Sequence, residues 1–259
     1  MVNRRERRAR ESEARKAAKR SAVTRATAIA GFYQAERIAA IPLALGRLSG
    51  NAQAAAARVA ALMDRELAGA FRKRPVCKRG CWYCCTVHVD ASIPEIAKLI
   101  SYARDHFAPD RFEAFVDRAR ANAAAAKGKT VLEYPAQRCA FLHESGECGA
   151  YPARPFACRT EHVLDTAETC RLAYETLEDL PAERDEGVRS LSTLMRAGLE
   201  YALQRSGFDT SSYELHQALS TCLDCSQALE RWANGEDVFR EAREGSGVLP
   251  YLLPLVRGD

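Results

Sequence analysis

Seven of the ten cysteines fall in two tight runs, Cys77, Cys81, Cys84 and Cys85, then, after a helical insert, Cys139, Cys148 and Cys158. The second run lies in a stretch, 131–160, where Pro135, Gly146, Gly149, Pro152 and Pro155 rule out a long helix and leave short extended pieces and turns. Such a segment has little intrinsic reason to stay folded, because each ordered residue costs about 1–2 kcal/mol of backbone entropy. A metal held by thiolates offsets that cost, by on the order of 10 kcal/mol in structural zinc peptides. The thiols and the irregular loop therefore explain one another, and the fold expected is one in which a metal organises what helices do not.

The alternative use of dense cysteine is a disulfide scaffold, natural to a short secreted chain. At 259 residues the chain is long enough for one large core with helical extensions. Its basic start is not followed by an apolar run of signal-peptide length, since Glu36, Arg37, Pro42 and Arg47 interrupt 26–48. No stretch reaches the roughly 18–20 apolar residues that span a bilayer. A cytoplasmic, reducing setting is therefore expected, with thiols free for metal or redox chemistry and no membrane partner.

Ala, Arg, Glu and Leu dominate and β-branched runs are scarce, so the fold class expected is mainly α, a helical bundle-like domain carrying an irregular cysteine-rich metal-binding loop region. Helices are expected over 5–40 and 50–72, parted by Pro42 and the Gly46–Gly50 stretch. Ser92-Ile93-Pro94-Glu95 reads as a capping box that opens a helix just after Cys85, and Pro109-Asp110 opens another that stops near Gly128. Further helices are expected at 166–179, 182–206, 212–222, 224–234 and 236–244, with Ser211-x-x-Glu214 as a second capping box. Three parts follow: a basic N-terminal helical extension, 1–76; a cysteine-cluster metal-binding domain, 77–170; and C-terminal helices, 171–259, packing on it.

Cys77, Cys81 and Cys84 lie close enough in sequence to reach one ion or cluster, and a fourth ligand must come from elsewhere. Neighbouring side chains diverge, so Cys85 is expected to face a second metal, a bridging position or the core. Cys139, Cys148 and Cys158 are the natural complement. All-sulfur surroundings suit zinc and iron–sulfur clusters alike. Zinc ribbons usually show two C-x-x-C knuckles, and only Cys81/Cys84 and Cys222/Cys225 have that spacing here. Cysteines at x3 and x2 spacing in one loop look more like cluster ligation, a 4Fe–4S cluster above all. Lys78, Arg79, Arg138, Arg154 and Arg159 stand beside the thiols, where they either offset the negative charge of a thiolate site or are simply solvated. Trp82, Tyr83 and Tyr151 are expected to pack over the site. His88, His143 and His162 are nearer to ordinary exposed or capping histidines than to ligands.

The order Cys77-x3-Cys81-x2-Cys84-Cys85, then Cys139-Ala140-Phe141-Leu142, then Cys148-Gly149-Ala150-Tyr151-Pro152-Ala153-Arg154-Pro155-Phe156-Ala157-Cys158-Arg159, resembles the YkgJ-type cysteine cluster family, the CxxCxxCC zinc- or iron-chelating domain. The resemblance covers about 77–170. It implies metal or iron–sulfur binding by these cysteines, with Cys170 filling the place of a further family cysteine. Trp82 stands where members often have glycine. A flagellin lysine N-methylase carries a similar cluster, so an iron–sulfur-dependent methyltransferase-like enzyme is one alternative, by analogy only.

A radical-SAM enzyme would also match C-x3-C-x-aromatic-C at Cys77, Cys81, Tyr83 and Cys84, but the strand–helix alternation its barrel needs is absent. A structural zinc domain with a nucleic-acid or protein partner is the remaining alternative. It is motivated by Arg4, Arg5, Arg7, Arg8, Arg10, Arg15, Lys16, Lys19 and Arg20, set against Glu6, Glu11 and Glu13. The interleaved acids and lack of aromatics favour a solvated arm over a nucleic-acid contact. Cys222 and Cys225 are expected to be buried thiols on a helix. No catalytic triad, phosphate loop or dinucleotide fingerprint is present, and no residue is assigned a catalytic role.

Overall fold

A computed structural model describes residues 23–78, 80–176 and 182–257. The basic arm expected at 1–20 lies outside the described residues, as does most of the first half of the helix expected over 5–40. The described residues are mainly helical. Helix α1 spans Arg25–Leu43, with the Thr24 hydroxyl accepting from Thr27 N at 3.1 Å as its cap. It runs through Pro42 rather than stopping before it, since a proline in the last turn removes one hydrogen bond and here buries its ring. After a turn through Gly46, whose φ is +118°, helix α2 spans Ser49–Ala68. Helix α3, Ile93–His106, and helix α4, Pro109–Ala126, begin where their prolines predict. Two short helices follow in the cysteine segment, α5 at Phe156–Thr160 and α6 at Ala167–Thr176. Helix α7, Glu186–Arg205, is capped by Asp185, whose carboxylate accepts from Gly187 N and Val188 N. Helices α8, Leu215–Asp224, α9, Ala228–Ala233, and α10, Leu249–Arg257, complete the set.

Helix α7 is the centre of the molecule, packing most extensively on α1 and also on α2, α5 and α10. Helices α1 and α7 approach closely because each offers a glycine: a Cβ on Gly198 would stand 2.3 Å from Phe32 O, and one on Gly31 would stand 2.6 Å from Leu191 Cδ1. Alanines 28, 35 and 39 extend the same thin face of α1. One apolar core runs from these helices through α3, α4 and α8 and takes in Phe141 and Phe156 beside the cysteines.

Two expectations fail in the C-terminal third. Residues Ser212–Glu214 form a strand, β2, between β1 (Asp90–Ala91) and β3 (Arg243–Gly245), antiparallel to both, where helix was expected from 212 and through 236–244. Ser211 does not cap; its hydroxyl donates to Asp209, and Glu214 itself caps α8 by accepting from His216 N and Gln217 N. A buried ion cluster holds this sheet to α7. Arg196 donates to Glu200 at 2.9 Å, to Asp90 at 2.8 Å and to the Ser212 hydroxyl at 2.9 Å. The second Glu200 oxygen accepts from Val248 N and Leu249 N and so starts α10. Tertiary pairing thus overrides local helix propensity here.

Candidate metal centre

The first cysteine run is a chain of tight turns. Val76 N donates to Val163 O at 2.9 Å, and Val163 N donates back to Cys77 Sγ at 3.3 Å, which anchors Cys77 to the strand of chain beyond α5. Cys81 N bonds Lys78 O at 3.0 Å across Gly80, whose φ of +85° a side chain rarely adopts. A single 3₁₀ turn, Tyr83–Thr86, then carries Cys84 and Cys85. Helix α6 packs on that turn and brings Cys170 to it, with Tyr174 against the rings of Trp82 and Tyr83 at 5.0 and 6.2 Å.

The second run is fastened directly to the first, because Cys139 N donates to Cys85 O at 2.8 Å. Cys139 and Cys148 flank a miniature hairpin, with Leu142 bridged to Cys148 and Gly149 N donating to Phe141 O. The backbone around Cys139 is gripped from the core. Ala140 N donates to buried His216 Nε2 at 3.3 Å, and the Asn122 amide donates to Arg138 O at 2.9 Å. His216 Nδ1 in turn meets Tyr134 Oη at 3.1 Å and Glu214 at 3.4 Å. Cys158 rides on α5, whose first amide, Phe156 N, donates to Glu95 Oε1 at 2.6 Å. The other Glu95 oxygen accepts from Ser92 N and its hydroxyl, so the predicted capping box also positions a cysteine.

All ten thiols are free. Burial pushes Cys139 and Cys148 up to about 11 and Cys158 well above its ordinary value, and each is raised further by neighbouring thiol charge. Cys84 stands at the centre of this field: its charge raises Cys77, Cys81, Cys139, Cys148, Cys158 and Cys170, and its own thiol is raised first by hydrogen bonding with Cys85. Two sets meet at Cys84. Cys77 and Cys81 are felt by Cys170, while Cys139 and Cys148 are felt by Cys158. Among the described residues no group of three or more Cys, His, Asp or Glu side chains is placed to hold a metal ion. Desolvated thiols that repel one another's charge suit a cation, which stabilises the thiolate form that burial disfavours. By contrast, Cys222 is buried, raised to about 12 by burial, and senses Arg104 and Cys225 instead of the cluster.

The basic side chains divide. Lys78 lowers Cys81, and Arg154, stacked on exposed Tyr151 at 4.0 Å, lowers Cys148 and Cys158. Arg159, expected beside the thiols, is instead turned into the core: it donates to Arg154 O at 2.9 Å and Pro152 O at 2.6 Å and pairs with Asp64 on α2. Arg138 lies over Trp82 at 5.2 Å. Arg79 lies outside the described residues. His88 meets Glu244 at 3.3 Å, on β3, and His162 packs on Phe71 at 4.8 Å. Glu95, Asn122, Lys98 and His216 were not legible as site residues, since their roles depend on helices distant in sequence. Lys98 is lowered to about 8 by burial and by Arg159 beside it.

The model of the CxxCxxCC family, described as "Putative zinc- or iron-chelating domain", matches residues 76–177. The CxxCxxCC segment holds all eight cysteines of the two sets, whereas Cys222 and Cys225 fall outside it. The resemblance read from the cysteine order is therefore borne out, and metal binding is the property the CxxCxxCC domain carries. No curated protein and no solved structure matches the chain significantly.

Proposed function

We propose that the chain is a metal-binding protein whose CxxCxxCC segment holds an iron–sulfur cluster, of the 4Fe–4S kind, with its ligands drawn from Cys77, Cys81, Cys84, Cys85, Cys139, Cys148, Cys158 and Cys170. Zinc takes the same sulfurs when the protein is made in air. The observation that carries this reading is the position of Cys84, whose charge reaches thiols of both runs and of α6. Cys77, Cys81, Cys84 and Cys170 give four thiolates, the number that a 4Fe–4S cluster or a structural zinc takes. Cys85 is tied to the Cys139, Cys148 and Cys158 set by the bond from Cys139 N to Cys85 O. The metal, when bound, supplies charge neutralisation and the cross-link that orders this loop; the chain supplies soft donors and the helices that orient them.

The setting fits a reducing compartment, the cytoplasm, and no helix among the described residues is long and apolar enough to cross a membrane. In this reading 1–76 and 171–259 are helical parts that frame the cysteine segment 77–170. Anaerobic purification with metal and acid-labile sulfide analysis tests the proposal. Iron with sulfide and a broad visible absorption supports it; colourless anaerobic protein with stoichiometric zinc and no sulfide replaces the cluster with zinc.

A further inference from the structure

A cavity of about 120 Å³ lies behind the Cys139–Cys148 hairpin, between it and helix α4. Its walls include Arg111, Arg118 and His143, with Phe107, Phe115 and Phe141 behind them. Arg111 and Arg118 are seven residues apart on α4, so they share one face of that helix. Neither forms an ion pair with a described carboxylate. Arg118 spends one nitrogen on Leu142 O at 2.8 Å, and Arg111 lies over the Phe107 ring at 3.7 Å. Both guanidiniums are thus held in place by contacts other than carboxylates, and the anionic groups they sense include the thiols of Cys148, for Arg111, and Cys139, for Arg118.

Gly149 accounts for the placement of Arg111. A Cβ there would stand 1.7 Å from Arg111 Nη2 and 3.1 Å from His143 Nε2, so the absence of a side chain after Cys148 is what lets the guanidinium and the imidazole come together over the hairpin. The local potential is positive: burial lowers His143, and the charges of Arg111 and Arg118 lower it further, against Glu147. The remaining acid in the wall, Glu144, is exposed on the hairpin tip.

We propose that this cavity is a binding site for a free inorganic oxyanion of phosphate or sulfate size, held by Arg111, Arg118 and His143. The volume is sufficient for such an ion. Guanidinium groups with fixed orientation match tetrahedral oxygens through paired, charge-assisted hydrogen bonds. Because Leu142 and His143 belong to the hairpin between Cys139 and Cys148, an ion here braces the same stretch of backbone that His216 holds at Ala140. The proposal stands apart from the identity of the metal, since its residues are not thiols.

Calorimetric titration of the full-length protein with inorganic phosphate and with sulfate, at constant ionic strength made up with chloride, tests the site. Saturable binding is expected, weakened by about tenfold or more in Arg111→Gln, the loss of a charge-assisted pair. Gly149→Ala, which leaves all three binding side chains in the chain but displaces the guanidinium, should weaken it similarly. Circular dichroism verifies that each variant folds, and His143→Gln replaces either one that does not. Phosphate binding no stronger than that of chloride, or unchanged in the folded variants, overturns the proposal. So does tighter binding of glycerol phosphate than of phosphate, because the occupant would then be an organic phosphate ester.

Discussion

Arg159 closes the C-x-x-Y-x-x-R-P-x-x-C-R order, and its work is mechanical. It is 2 % exposed, and its guanidinium satisfies two carbonyls of the 152–154 turn and the Asp64 carboxylate of α2 at once. Replacing it by methionine keeps the apolar stem and removes every bond. Asp64 is half exposed and is readily rehydrated, so the loss is that of two buried carbonyl partners, about 2–3 kcal/mol by denaturant unfolding. Arg159→Lys should recover little, because an ammonium cannot span all three acceptors in the planar fork geometry. Arg154→Gln should leave stability nearly unchanged and weaken metal retention, since Arg154 acts on the thiols Cys148 and Cys158 and stacks on an exposed ring.

At the scale of elements, the contact of α1 with α7 and the cysteine hairpin make separate demands. Gly198→Ala drives a methyl into Phe32 O, a backbone atom that cannot swing aside, and should cost about 1–3 kcal/mol. Gly50→Ala, in the first turn of α2 with nothing within 4 Å, should instead gain about 0.4–1 kcal/mol from a less flexible unfolded chain. Thermal unfolding of the two variants separates close packing from intrinsic helix propensity. For the hairpin, Cys139→Ser and Cys158→Ser should each lower metal content and open 131–160 to limited proteolysis. Cys222→Ser, buried on α8 away from the Cys84 field, should keep full metal content at a modest loss of stability. Metal loss in Cys222→Ser with full occupancy in Cys139→Ser would reverse that assignment.

For the whole molecule, the raised thiols give metal-free and metal-loaded protein opposite responses to pH. In the metal-free state Cys139 and Cys148 are raised by burial from the ordinary 9.0 to about 11, so the folded form keeps protons that the unfolded form has lost across that window. Stability from these groups is therefore full below about pH 9 and falls as pH rises towards 11. Loaded protein must hold the same sulfurs as thiolates, and protons compete with the metal, so its stability should fall as pH is lowered. Unfolding curves of the two forms, taken across neutral to alkaline pH, should thus converge at the acid end and separate towards alkaline pH. Parallel curves would mean that these thiols do not carry the metal.

Local sequence determined the helices whose starts are marked by Pro94, Pro109 and their caps, and the cysteine order alone was enough to indicate the family and its metal chemistry. Those signals are legible because capping, proline placement and ligand spacing act within a few residues. What sets Cys139 beside Cys85, Cys170 against the 83–86 turn and Arg159 away from the thiols is packing among helices far apart in the chain. The strand at 212–214 was missed for the same reason: its partners, Asp90–Ala91 and Arg243–Gly245, lie far off in sequence, and Arg196 and Glu200 on α7 stabilise the pairing through bonds that no local pattern encodes. Glu95 reads only as a capping residue, and Asn122 and His216 as ordinary helix residues, until the fold turns each of them towards a cysteine loop, where a buried acceptor or donor is needed for every backbone group the loop leaves unpaired.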